Sequence, residues 1–100
     1  MHEPEIELEA LLTLAQLSRM LALSPNWIAE RVAAGLIEPA AGVAGGDPAQ
    51  WRFDALVLRR VRTMSRVERS FDAVPELAAL VADLEDEIAA LRGRLARLTR

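Results

Sequence analysis

The stretch from Pro75 to the C-terminus constrains this chain more than any other. Leu77, Leu84, Leu91 and Leu98 recur every seven residues, and Val81, Ile88 and Leu95 recur on the same period between them. That spacing puts all seven on one stripe of a long helix, with β-branched residues at two of the three a positions and leucine at d. No proline interrupts the run after Pro75, whose missing N–H is tolerated in a first turn. A helix over about 75–98 rises roughly 36 Å at 1.5 Å per residue, long for a body of this size. A second copy is the natural cover for the stripe, as a two-stranded coiled coil. Packing of the stripe on the chain's own earlier helices is the competing arrangement. About three heptads is short for an isolated helix, so tertiary support is expected, and Gly93 on the outer face weakens it by ~1 kcal/mol relative to alanine.

Charge bears on the orientation of such a pair. Asp83, Glu85, Asp86 and Glu87 form an acidic block, and Arg92, Arg94, Arg97 and Arg100 a basic one. An antiparallel partner sets one block against the other, which the sequence favours. A parallel partner still gains a Glu87–Arg92 pair across the seam.

The remaining 74 residues are punctuated by local signals. Residues 5–9 alternate glutamate with Ile6 and Leu8, a pattern for a short strand with one buried face; helical extension into Ala10-Leu11-Leu12 is the competing reading. Thr13 and Gln16 have the spacing of a capping box, so a helix is expected over 14–22 with Leu14, Leu17 and Leu21 on one face. Ser24-Pro25 opens a second helix that turns Ile28 and Val32 inward and stops at Gly35. Two short helices joined by about three residues make a helix-turn-helix pattern. The segment from Ala40 to Gln50, rich in Gly, Ala and Pro, reads as a loop. Trp51-Arg52-Phe53 then reads as a short returning strand, with Ile37 and its neighbours as its partner in a hairpin, or wing, and with Trp51 and Phe53 closing onto the core. Asp54 caps a third helix over 55–71. Val57, Val61, Met64 and Phe71 face one way along it, and Arg59, Arg62, Arg66 and Arg69 the other.

Chemistry is harder to find. His2 is the single histidine and there is no cysteine, which removes disulfides and thiolate metal sites and suits a cytoplasmic setting. The acidic start of the chain does not resemble an export signal, and no apolar run is long enough to span a membrane. Gly42, Gly45 and Gly46 lack the Lys-Ser/Thr that a phosphate loop needs. No catalytic set, metal-ligand cluster or cofactor motif is visible, so an enzyme is not expected. The chain carries a net charge of −3, whereas a DNA-binding domain usually has a basic surplus. Its basic residues are all arginine, and the second helix holds only Arg31.

The order of these pieces resembles MerR-like regulators. Within them, "LSPNWIAERVAAGLIEP", then Trp51-Arg52-Phe53-Asp54 opening a helix, then the leucine-rich terminal helix, is similar to the chaperone modulatory protein CbpM family. The resemblance implies an all-α fold with a small β wing: a winged helix-turn-helix with wing and third helix over 1–74, and a dimerisation helix over 75–100. It also implies binding to the J-domain of a DnaJ- or CbpA-like co-chaperone, inhibition of that protein's work with Hsp70 and of its DNA binding, homodimerisation and no cofactor. MerR-type DNA binders place arginines where this chain has Asn26 and Ala29, and each missing phosphate contact lowers electrostatic affinity. The J-domain presents a basic helix, which a neutral or acidic surface complements. Glu30 and Glu38 are therefore the expected polar contacts, with Trp27 and Leu36 as apolar anchors. A dimeric DNA-binding regulator is the alternative, and the arginine stripe on the third helix is its best support. An adaptor module with another partner is a third.

Overall fold

A computed structural model describes residues 11–99. The strand expected over 5–9 and the terminal Arg100 lie outside them. The described residues form four α-helices and a single short 3-10 turn, with no sheet. The helices are α1, Leu14–Leu21; α2, Pro25–Ala33; α3, Ala55–Phe71; and α4, Pro75–Leu98. The 3-10 turn is Pro48–Gln50. The chain divides into two compact units, Met1–Arg62 and Thr63–Arg100.

In the first unit, each helix starts where a side chain satisfies its free amides. The Thr13 hydroxyl accepts from the Gln16 amide at 3.1 Å, and the Gln16 side chain accepts from the Thr13 amide at 2.9 Å. Ser24 accepts from the Asn26 amide at 3.1 Å, and the Asp54 carboxylate accepts from the Val57 amide at 3.0 Å. Such caps each contribute on the order of 1 kcal/mol. Helix α1 ends at Ala22, which takes a left-handed backbone with φ 56. Helix α2 ends before Gly35, whose φ of +78 is the left-handed conformation that glycine adopts freely. Helices α1 and α2 pack together and bury Leu17, Ile28 and Val32 completely.

Ile37, Trp51, Phe53 and Val61 complete this core. Fully burying Phe53 contributes about 1.5–3 kcal/mol by itself. Trp51 and Phe53 meet edge to face, with ring centroids 6.3 Å apart, so both aromatics close onto the core as their alternation indicates. The expected hairpin takes a different form. Arg52 pairs with Ala41, and Phe53 pairs with Leu12, each as one isolated antiparallel bridge rather than a strand. Ile37 does not pair with Arg52. Its amide donates to the Arg31 carbonyl at 3.3 Å as part of the end of α2, and its side chain is in the core. The backbone reaches Arg52 only at Ala40 and Ala41, and Ala40 donates to the Arg52 carbonyl at 2.8 Å.

In the second unit, the end of α3 buries Met64, Ser65 and Val67, and the start of α4 buries Ala78, Ala79 and Ala82. Arg66 reaches Glu85 across the two helices at 3.0 Å. Phe71 does not join the buried face that its spacing suggested; it is 73% exposed. It is the last residue of α3, and the chain turns immediately at Asp72, φ 54. No helix among the described residues is long and apolar enough to cross a membrane.

Candidate partner-binding site

Helix α2 carries the residues on which a choice between nucleic acid and protein turns. Its one cation is not displayed. The Arg31 guanidinium lies over the Trp27 ring at 3.7 Å from the centroid, and its Nη1 donates to the Trp27 carbonyl at 2.9 Å. Only 10% of the Arg31 side chain is exposed. The i, i+4 spacing of the pair brings the two side chains onto one face of the helix. The cationic head is thereby committed to an intramolecular site, where its stem also packs. Asn26 is exposed, as is Glu30, which approaches Arg31 at 3.7 Å.

The candidate contacts divide into groups. Trp27 is half-buried, with one ring face occupied by Arg31. Leu36 is also half-buried, and its carbonyl accepts from Arg60 Nε at 2.8 Å, which ties the end of α2 to α3 within the first unit. Glu38 is exposed and lines an open cleft of about 400 Å³ with Val32, Ile37, Pro39, Gly42 and Val43. Trp27, Glu30 and Leu36 are not part of that cleft.

The loop that closes the cleft is fixed despite its alanines and glycines. The Trp51 indole N–H donates to the Val43 carbonyl at 2.8 Å, and the Gly46 amide donates to the same oxygen at 2.8 Å. Asp47 caps the 3-10 turn through the Ala49 amide at 3.0 Å. Gly42 has φ +93, and a Cβ there would come 2.9 Å from the Gln50 carbonyl oxygen. Glycine is required at that point both for its backbone and for the close approach to Trp51. The Val43 side chain is left 73% exposed. The sequence marks Arg31 as the helix's one cation without indicating that it stacks on Trp27, and it places Val43 in the loop without a role. Their signals were present: an i, i+4 arginine after a tryptophan, and one large apolar residue in an otherwise small-residue loop.

A second surface lies on α4. Leu77, Leu84, Ile88 and Leu91 are each about half exposed, at 47–52%, with Leu95 at 60% and Leu98 at 82%; Val81 is half-buried. The face of α4 that the chain buries is instead Ala78, Ala79 and Ala82. Leu77, Leu84, Ile88, Leu91, Leu95 and Leu98 are thus exposed in the single chain and share one stripe of the helix. On α3, Arg59, Arg62, Arg66 and Arg69 are exposed, and Arg66 is engaged by Glu85. Among the described residues, no group of histidines and carboxylates is arranged to hold a metal ion.

No family model matches the chain, and no solved structure matches it significantly. Relatives are nevertheless clear. Chaperone modulatory proteins CbpM from Coxiella burnetii strains Dugway 5J108-111, RSA 331 / Henzerling II and CbuG_Q212 are each 33% identical to it over 95 residues, spanning 95% of this chain and 86% of the relative. With identity of that degree along nearly its whole length, the chain belongs to the chaperone modulatory protein CbpM family.

Proposed function

We propose that this chain is a chaperone modulator that binds the J-domain of a DnaJ- or CbpA-type co-chaperone and restrains its co-chaperone and DNA-binding activities, acting in the cytoplasm as a homodimer joined along α4. In this reading, the first unit is a winged helix-turn-helix of MerR-like descent turned from nucleic acid to protein. Its partner surface includes Trp27, Glu30, Leu36 and Glu38. The dimer seam runs through Leu77, Val81, Leu84 and Ile88 to Leu91, Leu95 and Leu98.

The observation that carries the reading is the burial of Arg31 beside Trp27. A recognition helix whose one cation is stacked on its own tryptophan presents no positive charge to phosphate, and affinity for a duplex depends on many such contacts. An exposed surface bearing Glu30 and Glu38 complements a cationic protein instead. Membership of the chaperone modulatory protein CbpM family supports chaperone modulation. The exposed arginines of α3 favour a DNA-binding regulator, and one experiment separates the two. At micromolar concentration the purified chain should co-elute with a DnaJ- or CbpA-type co-chaperone and lower its stimulation of Hsp70 ATP hydrolysis. Absence of both effects, together with salt-sensitive retardation of duplex DNA, would reverse the assignment.

A further inference from the structure

From the cleft beside the end of α2, we infer that it is the socket for one long basic side chain, lysine or arginine, projecting from the partner protein. The inference rests on the proposed binding of a co-chaperone and adds where and how that protein is gripped. Three features of the cleft define its occupant.

Its floor is apolar only in part, and polar atoms supply nearly as much of the lining. Val32 and Ile37 are buried beneath it, and Pro39 and the exposed Val43 flank it. The Pro39 and Val43 side chains in that lining accept methylene groups, and its polar share leaves a place for a polar head. Its charge is of one sign and unshared: Glu38 is the one ionisable residue in the lining, is exposed, and forms no ion pair with any other described residue. An aliphatic stem ending in a cation satisfies floor and carboxylate together, because long basic side chains lay their methylenes on apolar surface while the head keeps a polar partner. A purely apolar side chain would leave Glu38 unused, and an acidic one would be repelled by it.

The third feature is preorganisation. The wall carrying Val43 is held by its carbonyl, which accepts from both Trp51 Nε1 and the Gly46 amide at 2.8 Å. The Val43 side chain takes no part in that anchor. Little loop ordering then remains to be done when the partner arrives, which preserves affinity.

The test measures affinity of the full-length chain for the full-length co-chaperone by titration calorimetry at low and high salt. The variants are Glu38→Gln, Val43→Ser and, as a control, Glu76→Gln. The control makes the same charge change on α4, outside the cleft. Glu38 and Val43 are exposed, so their variants retain the fold, which circular dichroism verifies. Glu38→Gln should weaken binding about tenfold, the loss of one charge-assisted contact, and flatten its salt dependence. Val43→Ser should weaken it about threefold at both salt concentrations, as lost apolar contact does. Glu76→Gln should leave it unchanged. Wild-type affinity and salt dependence in Glu38→Gln would overturn the socket and leave co-chaperone binding standing. Failure of the wild-type chain itself to bind would overturn both.

Discussion

Arg31 and Trp27 form a closed pair on α2: the guanidinium stacks on the indole 3.7 Å from its centroid and donates to the same residue's carbonyl at 2.9 Å. The pair does two things at once. It shields one face of a half-exposed tryptophan, and it withdraws the helix's single positive charge from solvent. A lysine would not serve equally, because the planar guanidinium can stack and donate together.

Arg31→Ala should therefore act on stability. The substitution removes a cation–π contact, a charged hydrogen bond and the packing of the stem, a combined loss of roughly 2–3 kcal/mol. Chemical denaturation measures that loss, and Trp27 emission should move to the red as the ring is uncovered. A DNA-contacting Arg31 predicts the opposite pattern: unchanged stability and weakened duplex binding.

Gly42→Ala tests whether the 39–50 loop is a fixed wall. The new Cβ would lie 2.9 Å from the Gln50 carbonyl oxygen and 3.0 Å from Trp51 Cα, at a backbone φ of +93. Backbone atoms on both sides must give way, so a destabilisation of about 2 kcal/mol or more is expected. Gly45→Ala provides the contrast, since nothing lies within 4 Å of a Cβ there. Thermal unfolding should show a clear fall for the first and little change for the second.

These two sites also explain why parts of the molecule were legible in the sequence. Caps are read locally: Thr13 with Gln16, Ser24-Pro25 and Asp54 each act within three residues, and helix boundaries follow from them. Core positions such as Leu17, Ile28, Val32 and Val61 follow from helical period. Contacts across the chain do not. Trp51 reaching back to Val43 fixes where the loop folds, so Arg52 meets Ala41 rather than Ile37, and no period in the sequence encodes that register. The cleft inherits the same difficulty. Glu38 stood out as a charge, but its apolar surroundings exist only once Val43 has been carried back over Ile37. Phe71 shows the limit of periodicity itself: its position matches the buried face, yet the helix ends there and leaves it in solvent.

The stripe on α4 gives the remaining prediction. Leu84 and Leu91 are 52% and 50% exposed in the single chain, so the chain's own fold depends little on them. A self-association that covers them depends on them heavily, since each sits at a d position where a partner's knobs would pack. Leu84→Asp combined with Leu91→Asp places two carboxylates in that seam, and burying an unpaired charge is strongly unfavourable. Light scattering after size exclusion should then report a monomer at concentrations where the wild-type chain is a dimer. Circular dichroism should remain close to wild type, because the buried face of α4 is Ala78, Ala79 and Ala82 and is untouched. A persistent dimer would place the contact elsewhere. Collapse of helical content would mean that these leucines support the chain itself.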